Sequence, residues 1–164
     1  MRIKSFLPLL CVAMLFPSIA TAQFFEPSKV VVWDVYDNNS NVVVERATKY
    51  EIYSSMISAL AQSDNYVAFE CNSHAIEQHV VSQGLTLTPS NIAAAVRAKY
   101  GSDYIIFTTI KVLDSSNAYA KILIVSEFFS TRTLQVVRAA YVEAENDVRA
   151  LSTACAKLVG DLVR

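Results

Sequence analysis

The sequence predicts an α/β domain, a mixed sheet of about five strands in the order β-α-β-α-α-β-β-β-α with helices packed on it. Three observations lead there. Runs rich in β-branched residues alternate with stretches whose apolar residues recur every three or four positions. Three β-rich runs follow one another late in the chain, joined only by the short connections DSSN and STR, which suit antiparallel hairpins. Hydrophobic residues make up 53% of the chain, enough for a sheet covered on both faces.

The elements can be taken in order. Residues 29–35, KVVVWDV, form a nearly continuous apolar run and predict a first strand buried on both sides. The polar YDNNSN follows, a turn favoured by Asn and Asp side chains that bond to nearby backbone. Tyr50, Tyr53, Ile57 and Leu60 fall at helical spacing and predict a helix over 46–62 with that stripe inward. YVAFE (66–70) predicts a second strand, and 73–83 another helix closed by Gly84.

A third helix is punctuated by Thr88 as its cap, Pro89 in its first turn and Gly101 beyond its end. Strands follow over 103–113, 118–129 and 133–143. The chain closes with a helix from about Asn146, carrying Val148, Leu151, Cys155, Leu158 and Leu162 as its stripe. Strands separated by helices should pair in parallel, and the last three should form an antiparallel meander. The natural edge strands are then 66–70 and 133–143, the latter carrying Arg138 and ending in Glu143, charges that guard an edge.

The first residues read as an address. Arg2 and Lys4 precede an apolar stretch, and Ala20-Thr21-Ala22 fits a secretory cleavage site, so residues 1–22 are predicted to be a signal peptide cut near Ala22. Pro8 and Pro17 interrupt the apolar stretch, which is too short for a convincing membrane span. Residues 23–28 make a short extension, and 29–164 a single domain with no integral membrane segment left after cleavage. The expected location is periplasmic or secreted. The net charge of −1, with no basic run, predicts no nucleic-acid partner.

Asp34 and Asp37 sit at the end of the first strand, where ligands bind in open α/β sheets. They could serve a small hydrolase or a ligand-binding loop, or they could simply end a strand. Three apart on a strand, they face opposite sides, and the turn has no glycine to bring backbone around a phosphate. His74 and His79 fall about 140° apart around a helix and cannot share a metal unaided. No serine lies in a nucleophile elbow, and only three glycines are present. No motif predicts a catalytic residue, a cofactor or a metal.

Val42, Val43 and Val44 form an apolar run at a loop edge, read either as a protein contact or as a loop packed over the core. Tyr36 and Arg138 are further contact candidates, with structural packing as the plain alternative. Cys71 and Cys155 could pair in an oxidising compartment, stabilising the fold by roughly 4–5 kcal/mol on the chain-entropy model. Alternatively, Cys155 is a small buried hydrophobe on its helix stripe.

Several segments carry a family resemblance. KVVVWDV resembles the opening strand of the CsgG/LpoB-like family of bacterial envelope proteins, akin to the N-terminal domain of TolB. Gln83-Gly84 is similar to that family's break after its second helix, and Gly101, Asp103 and Tyr104 fall in register with its Gly-Ala-Asp-Tyr segment. Thr131 fits the pattern of the paired strands, while Arg132 replaces a turn glycine and Cys71 stands where a charged residue is usual. The resemblance spans nearly all of 29–163 and rests on structural motifs.

It implies a non-enzymatic protein: a secretion pore, an activator of cell-wall synthases or a periplasmic adaptor. The chain lacks a lipobox, long insertions for membrane hairpins and a long N-terminal reach. The expectation is therefore an adaptor domain of the cell envelope that binds another protein or itself, assisting secretion or cell-wall assembly.

Overall fold

A computed structural model describes residues 26–38, 44–114 and 120–164. The predicted signal peptide, Val42 and Val43 lie outside these residues. The strands are β1 (Ser28–Val32), β2 (Tyr36–Asp37), β3 (Tyr66–Glu70), β4 (Tyr104–Asp114), β5 (Lys121–Ser130) and β6 (Gln135–Glu145). The helices are α1 (Arg46–Ala61), α2 (Ser73–Ser82), α3 (Pro89–Tyr100) and α4 (Val148–Val163). The sheet runs β3-β1-β4-β5-β6, with β2 beside β4. β1 pairs in parallel with β3 and β4, and β4, β5 and β6 form the antiparallel meander. The predicted fold class and both edge strands are observed.

The first strand differs from expectation. Instead of one strand over 29–35, β1 stops at Val32 and pairing with β4 resumes at β2. Val32 is opposite Ile106 and Tyr36 opposite Thr109, so four steps along one segment match three along the other. One residue is extra, which is a bulge: the face assignment flips across it. Val30, Val32 and Val35 thus enter one core, whereas Val31 and Trp33 enter the other. The cause is pairing across the sheet, which the strand's own composition does not encode.

Two apolar layers sandwich the sheet. α1 and α4 cover one face through Ile52, Met56, Leu60, Leu151, Leu158 and Leu162. α2 and α3 cover the opposite face through Ile76, Val80, Ile92 and Val96, against Trp33, Ile105 and Phe107. Each such aliphatic side chain contributes about 1.5–3 kcal/mol when fully buried. In α1 the buried stripe is Ile52, Met56 and Leu60, with Tyr53 and Ile57 flanking it. Of the predicted stripe, Leu60 is buried and Tyr53 and Ile57 pack against the core, whereas Tyr50 is 68% exposed. Val148 likewise lies outside the α4 stripe, exposed at the start of the helix.

The predicted cap Thr88 is observed, and Asn72 and Asp147, which the sequence reading did not name, cap two further helices. Asn72 accepts from the Ala75 N–H at the start of α2, Thr88 from Asn91 N–H, and Asp147 from Arg149 and Ala150 N–H. Gly101 ends α3 at φ 62°, in the left-handed region that glycine occupies without strain. Leu134 adopts φ 57° in the β5–β6 turn, so the strained position is two residues beyond Arg132. Thr131 fixes that turn by donating to the carbonyls of Ser102 and Asp103.

The disulfide expectation is corrected: Cys71 and Cys155 are both free. Cys71 packs against the α2–α3 core and Cys155 lies within the α1–α4 core. Burial pushes both thiols up to about 12.

Candidate functional site

The bulge delivers Asp34 and Asp37 to different partners. Ser73, at the start of α2, donates its hydroxyl to Asp34 Oδ2. Asp37 Oδ2 accepts the Val44 N–H at 2.9 Å and lies 3.4 Å from the Lys49 ammonium. One carboxylate therefore anchors α2, while the other closes the loop into α1. Their separate engagements match the strand-ending reading.

Beside them a cleft of about 360 Å³ opens between the strand end and α1, lined by Asp34, Val35, Arg46, Lys49, Tyr50 and Tyr53. Burial, followed by the negative fields of Glu70, Cys71 and Asp34, pushes the Tyr53 hydroxyl up to about 12, so it stays protonated at neutral pH. Among the described residues, no group of three or more His, Cys, Asp or Glu side chains is placed to hold a metal ion. His74 and His79 pair separately with Gln78 and Gln83, one turn further along α2.

The contact candidates fare unevenly. Tyr36 accepts from Trp33 Nε1 at 3.1 Å and donates to Glu77 Oε1 at 3.2 Å, tying the bulge to α2 while staying half exposed. Val44 is buried in the α1–α4 core and is corrected from contact residue to packing residue. Arg138 folds back onto the end of α4, donating to the Asp161 carbonyl at 3.3 Å and to the Arg164 carbonyl. There it satisfies helix-terminal acceptors and meets the negative end of the dipole, so its donors serve the fold.

The sequence singled out 133–143 as an edge strand, but not the exposed Val137 and Tyr141 on it. Val137 and Tyr141 are 57% and 73% exposed, and no described strand lies outside β6. A bulge at Phe128/Phe129 leaves Val137 without an opposite residue on β5. On the α4 side, a groove of about 530 Å³ runs between β6 and α4. Its floor is Val142, Ala144, Ala150 and Ala154, and Arg149 and Lys157 stand on its helical rim. The segment VVRAAYVE has apolar residues in both phases of a strand, and that was the available signal.

No family model and no curated protein matches the chain. Among solved structures, it is similar to a PelC dodecamer from Paraburkholderia phytofirmans, with TM-score 0.51 and 12% identity over 83% of this chain and 88% of that one. It is also similar to lipoprotein GNA1162 from Neisseria meningitidis, with TM-score 0.53 and 11% identity over 82% of this chain and 99% of the other. A hypothetical protein from Chlamydia trachomatis, CT253, aligns at TM-score 0.52 and 11% identity over 83% of this chain and 93% of its own. At such identities the shared property is the layered α/β fold. No described helix is long and apolar enough to cross a membrane.

Proposed function

We propose that this chain is an exported, non-catalytic protein-binding domain of the bacterial cell envelope, acting as an adaptor in secretion or cell-wall assembly. The observation that carries the reading is the outer part of β6, a long edge strand that leaves Val137 and Tyr141 in solvent. Exposed edges take up further strands, and exposed aromatics serve as anchors at protein contacts. The fold shared with a lipoprotein and with a protein crystallised as a dodecamer supports an envelope setting and an assembly role. The sequence resemblance to CsgG, LpoB and TolB points the same way. Assembly with copies of itself belongs to this reading as one form of protein partner.

The rival reading, a hydrolase or ligand-binding protein built on the strand-end carboxylates, has less to draw on. Asp37 is engaged by Val44 and Lys49, and Asp34 by Ser73. The test is a capture experiment with the tagged, exported chain in the cells that make it, using wild type, Asp34→Asn and the double variant V137K/Y141K. The adaptor reading expects D34N to retain the wild-type partners and V137K/Y141K to lose them. Partners lost with D34N and retained by the edge variant would contradict it.

A further inference from the structure

The groove between β6 and α4 has a chemistry that specifies its occupant. Resting on the adaptor reading, we infer that it receives an extended segment of a partner protein, added outside β6 and carrying two carboxylates four residues apart on the face towards α4.

The argument starts from the rim. Arg149 and Lys157 are exposed, and neither has a carboxylate within ion-pair distance among the described residues. Eight residues of helix separate their backbones by about 12 Å along α4. Four residues of strand span about 13 Å, and residues four apart point to the same face. Two acidic side chains at that spacing therefore meet the two cations in one register.

The floor sets the residue between them. Ala144, Ala150 and Ala154 are small, leaving room for a modest side chain, while Val142 supplies apolar contact. On its other face the segment lies beside Tyr141, where β-branched or aromatic residues pair well across strands.

Charge also decides against the simplest alternative, a second copy of β6. Glu143 and Glu145 line the groove from β6, but Lys121 holds Glu143 at 2.5 Å. Both glutamates reach the groove from its strand side, and neither comes within ion-pair distance of Arg149 or Lys157. A second β6 would offer α4 Arg138, Ala140, Val142 and Ala144, which brings a further cation and no carboxylate. Like charges gathered at an interface disfavour that pairing.

The test uses the full exported chain and fluorescein-labelled nine-residue peptides with capped ends, alternating Thr and Val around a central Ala. One peptide carries Glu at its third and seventh positions, a second carries Lys there, and a third carries Glu at its third and sixth. Anisotropy titration should show the first binding at least about tenfold more tightly than either control. The exposed-site double variant R149E/K157E, verified as folded by circular dichroism, should reverse the preference towards the Lys peptide. Equal binding of all three peptides, binding of none, or an unchanged preference in R149E/K157E would overturn the inference. So would sedimentation showing a β6-mediated dimer that excludes the first peptide. Capture sensitive to V137K/Y141K but without peptide preference sinks this inference alone; loss of both sinks the adaptor reading as well.

Discussion

Asp37 accepts the backbone N–H of Val44 at 2.9 Å, closing the loop between β2 and α1 with a charged hydrogen bond. The same oxygen lies 3.4 Å from Lys49 on the first turn of α1, and only 15% of the Asp37 side chain is exposed. Hydrogen bonds to charged groups contribute about 1.5–3 kcal/mol. Asp37→Ala should therefore lower stability by about 2 kcal/mol, read from the midpoint of urea unfolding, with Asp37→Asn losing less. A D37A protein as stable as wild type would show that this contact does not hold the loop.

Between β4 and β5, the hydroxyls of Thr108 and Ser126 share a hydrogen bond at 2.9 Å, fully buried, with Met56 Sδ 3.4 Å from Thr108. Thr108→Val strands the Ser126 hydroxyl without its partner, and leaving a buried group unsatisfied costs about 1–3 kcal/mol. Adding Ser126→Ala to T108V should recover part of that loss. A double-mutant cycle on thermal unfolding checks it, and strictly additive losses would contradict the pairing.

The β5–β6 turn contains a removable strain. Leu134 at φ 57° is held by its N–H to the Ser130 carbonyl at 2.9 Å, and its side chain is 38% exposed. Left-handed geometry disfavours a residue with a Cβ by about 1–2 kcal/mol. Leu134→Gly should stabilise the fold by about 0.5–1 kcal/mol after the entropy of the unfolded glycine is deducted. Chemical denaturation would detect the shift in midpoint.

Alkaline pH should weaken the fold. Burial raises both cysteine thiols from 9.0 to about 12, and raises the Tyr53 hydroxyl from 10.0 to about 12. Each pKa is higher folded than unfolded, so the unfolded chain releases these protons first. The associated stability is complete below about pH 9 and is lost as pH climbs towards 12. Urea midpoints should fall across that range, and Cys155→Ser should flatten the decline. Iodoacetamide should modify Cys155 only slowly near pH 8 until the chain is unfolded.

Local signals carried much of the fold. Thr88, Pro89 and Gly101 bound α3 because capping and left-handed geometry are properties of a few neighbouring residues. The meander was legible because the connections were short and the β-branched runs long. Other features arise only when elements meet. The bulge over 33–35 exists because β2 takes its register from β4, and α1 turns Ile52 and Met56 into the core while Tyr50 stays in solvent. Cys155 was legible as part of the last helix's apolar stripe, whereas the placing of Cys71 against the separate α2–α3 core was not.

The candidate sites show the same division. The spacing argument against a shared Asp34–Asp37 site assumed an unbroken strand, which the bulge removes; what separates the two is their engagement by Ser73 on one side and by Val44 and Lys49 on the other. Arg138 looked like a surface charge until α4 brought its carbonyls within reach. Arg149 and Lys157 lie on the helix that returns beside β6, so their joint place above its edge needs the complete hairpin and helix.

The most direct test of the adaptor account places a photo-crosslinking amino acid at Tyr141, and separately at Tyr50 beside the strand-end cleft, in the chain exported by its own cells. The account predicts a discrete protein adduct on illumination from the Tyr141 position and none from the Tyr50 position. Adducts from Tyr50 alone, with Tyr141 silent, would contradict it.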